Sequence, residues 1–283
     1  MTHAATRYLE SKRSVDDRAR SRRVRDRLLG ELPDAPRVLE AGCGTGVTVA
    51  NLVEWGVDRG EYRGIDRDPG VVAFARAVRP RELRRRGHAV AATPEGLTVD
   101  RLTARFETGD ALSTFADERG ADLFVAQAFA DLVPLPALVE TVETALAPGG
   151  LAYLPITFDG GTVFQPDHPA DDRVERAYHD AIDAREGRDA RAGRHLIDLL
   201  GRREGDLLAV DGSDWVVRPR DGRYPADERH FLDRILGFVA EALAGEGIEG
   251  VDDWLATRRE QLAAGELTYV AHQYDLLYRT PER

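Results

Sequence analysis

Two rhythms of apolar residues divide the chain. From Arg37 to Ile156 short apolar runs alternate with stripes at the helical spacing, and after Thr157 the helical stripes dominate. Ahead of the first run, Ser14 to Leu29 carries Val15, Ala19, Val24, Leu28 and Leu29 on a loose helical stripe that Pro33 and Pro36 close. A strand at Arg37 to Leu39 then leads into Glu40-Ala-Gly-Cys-Gly-Thr-Gly46, and Val47, Val49, Leu52 and Val53 predict a helix over about Val47 to Trp55. A strand at Tyr62 to Ile65 ends in Asp66, and Asp68-Pro69 reads as an N-cap with proline at the first helical position, opening a helix over about Gly70 to Val78. Arg79 to Thr103 carries no clear period, and its arginine-rich run Arg79 to Arg86 reads as a solvated helix end or loop. Further strands are predicted at Arg105 to Thr108, Asp122 to Ala128 and Leu151 to Ile156, with a helix at about Leu135 to Leu146 and a turn at Pro148-Gly149-Gly150. This alternation means a parallel sheet with helices on both faces.

Beyond Ile156 the sequence predicts a Gly/Pro/Asp-rich loop through Asp172, then helices around Val174 to Ile182 and His195 to Leu200. An extended segment at Leu207 to Val217 precedes two helices, one marked by Phe231, Leu232, Ile235, Leu236, Val239 and Leu243, the other by Val251, Trp254, Leu255 and Leu262. A strand at Leu267 to Tyr278 closes the chain.

Composition narrows the class. At 283 residues and 42% hydrophobic, the chain suffices for one domain, or one with a subdomain, without disulfide or metal support. The single cysteine, Cys43, excludes a disulfide framework or zinc ribbon and fits a reducing compartment, so the expected location is the cytoplasm. No stretch reaches the length of an apolar membrane span, and Met1 to Arg23 lacks the apolar core of a secretion signal. The formal net charge of -11 disfavours nucleic acid and anionic membrane as partners. Lys12 is the one lysine in an otherwise arginine-based chain.

The candidate chemistry lies in the glycine loop between the first strand and its helix. Glycines at 42, 44 and 46 let the backbone pass close to a ligand, and the helix behind offers unpaired N-H groups. Asp66, at the end of the next strand, is placed to accept hydrogen bonds from ribose hydroxyls, and Asp110 follows the third strand at the same sheet edge. A dinucleotide fold requires Gly-x-Gly-x-x-Gly/Ala, yet position 47 is the bulky, β-branched Val47. The spacing here is Gly-x-Gly-x-Gly behind an acidic residue. Through Val38 to Gly46, Gly64-Ile-Asp66, Gly109-Asp110-Ala111 and Leu146-Ala-Pro-Gly-Gly-Leu151, the chain resembles the class I S-adenosylmethionine-dependent methyltransferases of the small-molecule, type 11/25-like kind.

The resemblance, which covers about Arg37 to Phe158, implies an α/β, Rossmann-like, doubly wound and mostly parallel seven-stranded sheet, with helical insertions in the C-terminal half. It implies residues 1–33 as an N-terminal helical lid, 34–158 as the S-adenosylmethionine-binding core, and 159–283 as acceptor-pocket helices plus the last two strands of the same sheet. By position it puts Gly42, Cys43, Gly44 and Gly46 under the methionine part of the cofactor, with Glu40 near its ammonium. Asp66 falls at the ribose, Asp110 and Ala111 at the adenine edge, and Gln127 and Phe129 where cofactor meets acceptor, with Arg67 a further cofactor-binding candidate. Carboxylates suit a ligand end that carries a sulfonium and an ammonium. A non-catalytic S-adenosylmethionine-binding protein and a nucleotide-dependent oxidoreductase on a related sheet remain the alternatives.

Three acceptor classes find no support. Attack on a pyrimidine ring needs a cysteine on the acceptor side, whereas Cys43 lies in the cofactor loop; the nucleobase-amine motif Asn/Asp-Pro-Pro-Tyr is replaced by Ala128-Phe129-Ala130-Asp131; and the one asparagine, Asn51, leaves no Asp-Asn pair for a metal-dependent catechol-type reaction. No metal is therefore expected, and the acceptor is a small molecule with methyl transfer by in-line displacement. The expected acceptor pocket draws on Tyr8 and Lys12 from the lid, Phe158 and Asp159 after the fifth strand, Tyr178 and Trp215, with His168 as the candidate general base. A monomer or homodimer is expected.

Overall fold

The computed structural model describes residues 6–282. Three short helices open the chain: α1 (Thr6–Ser11), α2 (Arg13–Ala19) and α3 (Arg22–Glu31). The stripe predicted as one helix is broken at Ser21, whose hydroxyl accepts the Val24 N-H as an N-cap. The alternating region follows as β1 (Arg37–Ala41), α4 (Val47–Glu54), β2 (Arg59–Asp66), α5 (Pro69–Arg85), β3 (Val90–Thr93), β4 (Gly96–Val99), β5 (Arg101–Thr108), α6 (Ala111–Phe115), β6 (Ala121–Val125) and α7 (Leu135–Ala145). Then come β7 (Leu146–Gln165), α8 (Asp171–Asp183), α9 (Ala192–Gly201), β8 (Asp206–Gly212), β9 (Trp215–Val217), α10 (Glu228–Leu243), α11 (Val251–Ala264) and β10 (Thr268–Arg279).

One sheet unites the strands in the order β3-β4-β5-β2-β1-β6-β7-β10-β8, with β9 paired to β10. β5, β2, β1, β6 and β7 run parallel, and β10 is antiparallel to both β7 and β8. These seven strands are the expected core of the sheet. The β3-β4 hairpin and β9 extend it to ten. In β1, Val38 joins one apolar cluster with α3, α4 and α5, whereas Leu39 and Ala41 join another with α6, α7 and α9. Burial on both faces explains the apolar runs of β6 and the inner part of β7, whereas β2 and β5 interleave charged residues with buried ones. A third cluster, built from α1, α8, α10, α11, β9 and the start of β10, lies beyond the carboxyl ends of the strands and walls the site described below.

Three departures from the sequence reading matter. Helix α5 runs through Pro80 to Arg85 instead of stopping at Val78, because Leu83 and Arg79 are fully buried on its inner side. Arg79 is no solvated end: it donates to Glu10 at 2.5 Å and to Glu82, and Arg86 also donates to Glu82, at 2.6 Å. The stretch from Thr157 to Gln165, read as loop, continues β7, where Val163 and Phe164 pair with Val270 and Tyr269 of β10. The Gly160-Gly161 pair that suggested a turn sits inside the strand at positive φ, on an irregular stretch of the β7-β10 ladder.

Candidate functional site

A cavity of about 600 Å³ opens above the carboxyl ends of β1, β2, β6 and β7, at the point where the chain order reverses across β1. Its floor is the glycine loop. The N-H groups of Gly42 and Cys43 both donate to the Ile65 carbonyl, at 2.9 and 3.0 Å, and Gly46 N-H donates to Cys43. Gly42, at φ 69°, lies so close to Phe129 that a Cβ there would meet the ring at 2.5 Å. Gly44 N-H donates to Asp66 at 2.9 Å, and the other Asp66 oxygen accepts Asp68 N-H at 3.0 Å. Asp66 thereby fixes the loop while keeping lone pairs toward the cavity, and burial raises its pKa.

Glu40, 2% exposed, lines the same end. Thr48 donates to one of its oxygens at 2.6 Å and the Tyr62 hydroxyl to the other. Burial outweighs both bonds and pushes the carboxyl up to about 7. Burial also raises the Cys43 thiol well above its ordinary value, so it lines the floor as a neutral group. Asp110 caps α6 through Ser113 N-H at 3.0 Å and pairs with Arg67 at 2.9 Å; these contacts, the backbone bond foremost, hold its pKa low. Asp110, Ala111 and Arg67 border the cavity at this end.

The opposite end is closed by α1 and α2. Asp16, 3% exposed, ties this cover to the sheet: it accepts Trp215 Nε1-H at 2.8 Å and Gln127 Nε2-H at 3.1 Å, and faces the Lys12 ammonium at 3.5 Å. Arg20 donates to Gln127 Oε1 at 2.9 Å, which fixes the orientation of that amide. Tyr8 stacks on Phe231 with centroids 5.9 Å apart and meets Phe238 edge-on. Across the chamber stand Phe158, Tyr178 and Tyr269, with Asp131 from a 3-10 turn at Ala130–Leu132. Two non-glycine residues in the left-handed region, Ala128 at φ 48° just past β6 and Ile156 at φ 57° within β7, lie on the cavity wall. The buried Asp275 holds Ile156 there by accepting its N-H at 2.8 Å.

A methyltransferase domain model matches residues 12–202. The chain belongs to the class I S-adenosylmethionine-dependent methyltransferases. Solved structures similar to this methyltransferase include a candidate methyltransferase from Bacillus halodurans (14% identity, TM-score 0.54, covering 91% of this chain and 98% of that one) and YcgJ from Bacillus subtilis (13%, 0.52, 93% and 100%). Another is an S-adenosylmethionine-dependent methyltransferase from Thiobacillus denitrificans in complex with S-adenosylhomocysteine (17%, 0.49, 95% and 95%). No curated protein matches in sequence.

Most residues singled out in the methyltransferase sequence meet at this cavity, and three do not. Gly46 stands behind the loop as the left-handed cap of α4, packed on Phe106. Asp159 lies in the extended part of β7, where alternation turns it away from Phe158 and into Arg194, whose Nε and backbone N-H it accepts at 3.1 and 2.7 Å. His168 sits past the end of β7, accepting Ala170 N-H at 3.2 Å and facing Asp253 at 3.3 Å, outside the cavity. Asp16, Thr162, Arg188, Tyr269 and Gln273 line the wall without having been expected there. The buried Gln273 carries an unpartnered Oε1. Among the described residues no acidic, His or Cys cluster could hold a metal ion, and no helix is long and apolar enough to cross a membrane.

Proposed function

We propose that the protein transfers a methyl group from S-adenosylmethionine to a small molecule held between the cofactor loop and the α1-α2 cover. The observation that carries this reading is the shape of the cavity: a single continuous space joins the Gly42–Gly44 floor to an aromatic chamber. The cofactor fits the residues present. Gly42 leaves a cradle that a Cβ would fill, Asp66 keeps lone pairs for the ribose hydroxyls, and Glu40 offers a carboxylate to the ammonium, with Cys43 and Gly44 completing the floor. Arg67, Asp110 and Ala111 frame the adenine end, and Gln127 and Phe129 line the boundary with the chamber. The cofactor supplies an electrophilic methyl on a sulfonium; the protein binds it, aligns the acceptor and excludes water.

The chamber takes Tyr8, Lys12, Phe158, Tyr178 and Trp215 as acceptor walls, and α1 and α2 act as a lid. Calorimetric titration with S-adenosylhomocysteine tests the assignment. Binding is expected for wild type, and Asp66→Ala should weaken it by about 2 kcal/mol, since ribose contacts and the Gly44 tie go together. Affinity for a nicotinamide dinucleotide in place of S-adenosylhomocysteine would overturn the reading.

A further inference from the structure

The charges on the cavity wall are nearly all matched within the protein. Lys12 faces Asp16, Asp17 pairs with Arg20 at 3.2 Å, Arg67 pairs with Asp110, and Arg13 pairs with Glu10 and with Glu82. The carboxylates at the cofactor end are held by hydroxyl or backbone donors. Two groups lack a direct contact partner. Among the described residues Asp131 accepts a hydrogen bond only from its own backbone N-H, and Arg188, half-buried, makes no ion pair or side-chain hydrogen bond; the two feel each other's charge, and Asp131 also that of Lys12, without direct contact. Both line the cavity, and the backbone bond from Asp189 N-H to the Asp131 carbonyl, at 3.3 Å, locks their two segments together.

An anion and a cation that face one cavity without touching compensate each other only in part, and a ligand that brings the complementary charge to each completes the match. Asp131 lines the chamber together with Tyr8 and Tyr178, both of which feel its charge. A carboxylate among aromatic faces suits an ammonium, which the ring quadrupoles also attract. Arg188, with its planar fork of donors, suits a carboxylate. Gln273, whose buried Oε1 lacks a hydrogen-bond partner among the described residues, adds an acceptor to the lining of the same cavity.

We propose that the acceptor is a small amino acid, its amine held against Asp131 and its carboxylate held by Arg188, and that it is methylated on nitrogen. The inference rests on the methyltransferase reading above. Space agrees with it: once the cofactor is bound, a cavity of about 600 Å³ leaves room for an acceptor on the order of ten non-hydrogen atoms. The ammonium passes one proton to the Asp131 carboxylate. The freed lone pair forms the new N-C bond as the C-S bond breaks and its electron pair stays on sulfur, and the proton on Asp131 then leaves to solvent. Burial pushes the Asp131 carboxyl up to about 6, which keeps it charged at neutral pH yet raises its basicity toward that of a useful proton acceptor. Asp131 is thereby the catalytic base, and Arg188 orients the substrate.

The test uses the full chain with phenylalanine, glycine and histidine as probes, against phenethylamine, methylamine and histamine as decarboxylated counterparts and phenyllactate and glycolate as hydroxy acids. Calorimetry in saturating S-adenosylhomocysteine reads acceptor binding, and S-adenosylhomocysteine release reads turnover. At least one amino acid is expected to bind and react in preference to its amine and its hydroxy acid. Asp131→Asn should lower kcat by about a hundredfold with cofactor affinity within roughly threefold of wild type. Arg188→Gln should raise KM for the amino acid by about tenfold or more and shrink its preference over the matching amine. Turnover confined to hydroxy acids, a lack of binding by every amino acid while S-adenosylhomocysteine binds, or an Asp131→Asn enzyme of wild-type kcat would each overturn the proposal. Loss of S-adenosylhomocysteine binding by the wild-type protein would instead overturn the methyltransferase site on which it rests.

Discussion

Glu40 shows how one buried carboxyl couples the cofactor to pH. In the unfolded chain it ionises near 4.5 and in the fold near 7, so the fold favours its neutral form. The stability this confers is complete below about pH 4.5, falls as pH rises through that interval, and is gone above 7. An ammonium placed beside Glu40 favours the charged form. Cofactor binding is therefore expected to tighten as pH rises toward 7 and to release a proton on the acid side of it. Calorimetry in buffers of differing protonation enthalpy reads that proton directly, and Glu40→Gln should abolish its release; a wild-type protein that releases none would remove the ammonium from Glu40. Gly42 makes a steric prediction at the same scale. With φ at 69° and the Phe129 ring 2.5 Å from where an added methyl would stand, Gly42→Ala should cost roughly 2 kcal/mol or more and lower the melting temperature by several degrees, read by thermal denaturation.

At the scale of elements, the α1-α2 cover proposed as a lid is tied to the rest of the protein by polar contacts as well as by the Tyr8 ring. Ser14 and Arg18 of α2 reach the fully buried Glu228 of α10 at 2.7 and 2.5 Å, and Asp16 gathers Trp215, Gln127 and Lys12. Asp16→Ala leaves the Trp215 N-H and the Gln127 amide without their acceptor and Lys12 without its counter-charge, a loss of about 2 to 4 kcal/mol. The expected consequence is local: faster amide exchange and proteolysis across residues 6–19, with the sheet retaining its protection. Uniform loss of protection would mean that α1 and α2 are part of the core and no lid. The same elements explain what was legible beforehand. β1 and β2 could be read because their buried apolar residues run straight into the glycine loop and into Asp66. The β3-β4 hairpin could not, since Ala91-Ala-Thr-Pro-Glu95 has no apolar alternation, and β7 was cut short at Ile156 because Asp159-Gly160-Gly161 carries turn residues into a strand.

Across the whole molecule, the site divides along the same line. Its cofactor side is local in sequence, since each residue sits just after a strand that ends at the sheet edge, and Gly42, Gly44, Asp66 and Asp110 could be named from spacing. The proposed acceptor side draws on Tyr8, Asp131, Tyr178, Arg188, Tyr269 and Gln273, which line the cavity from five separate segments. No period or motif links them, so loop histidines such as His168 competed on equal terms until the fold excluded them. The net charge of -11 gains a local meaning as well, because the arginine run from Arg79 to Arg86 is partly consumed by Glu10, Glu82 and the Val90 carbonyl and offers no continuous basic track. The central claim is that one cavity seats the cofactor on the Gly42–Gly44 floor and the acceptor beside Asp131. A crystal structure of the protein with S-adenosylhomocysteine tests it most directly. The account predicts ribose hydroxyls on Asp66, the amino group at Glu40 and the sulfur beside Phe129, facing the aromatic chamber; a ligand bound elsewhere, or with its sulfur turned away from that chamber, would contradict it.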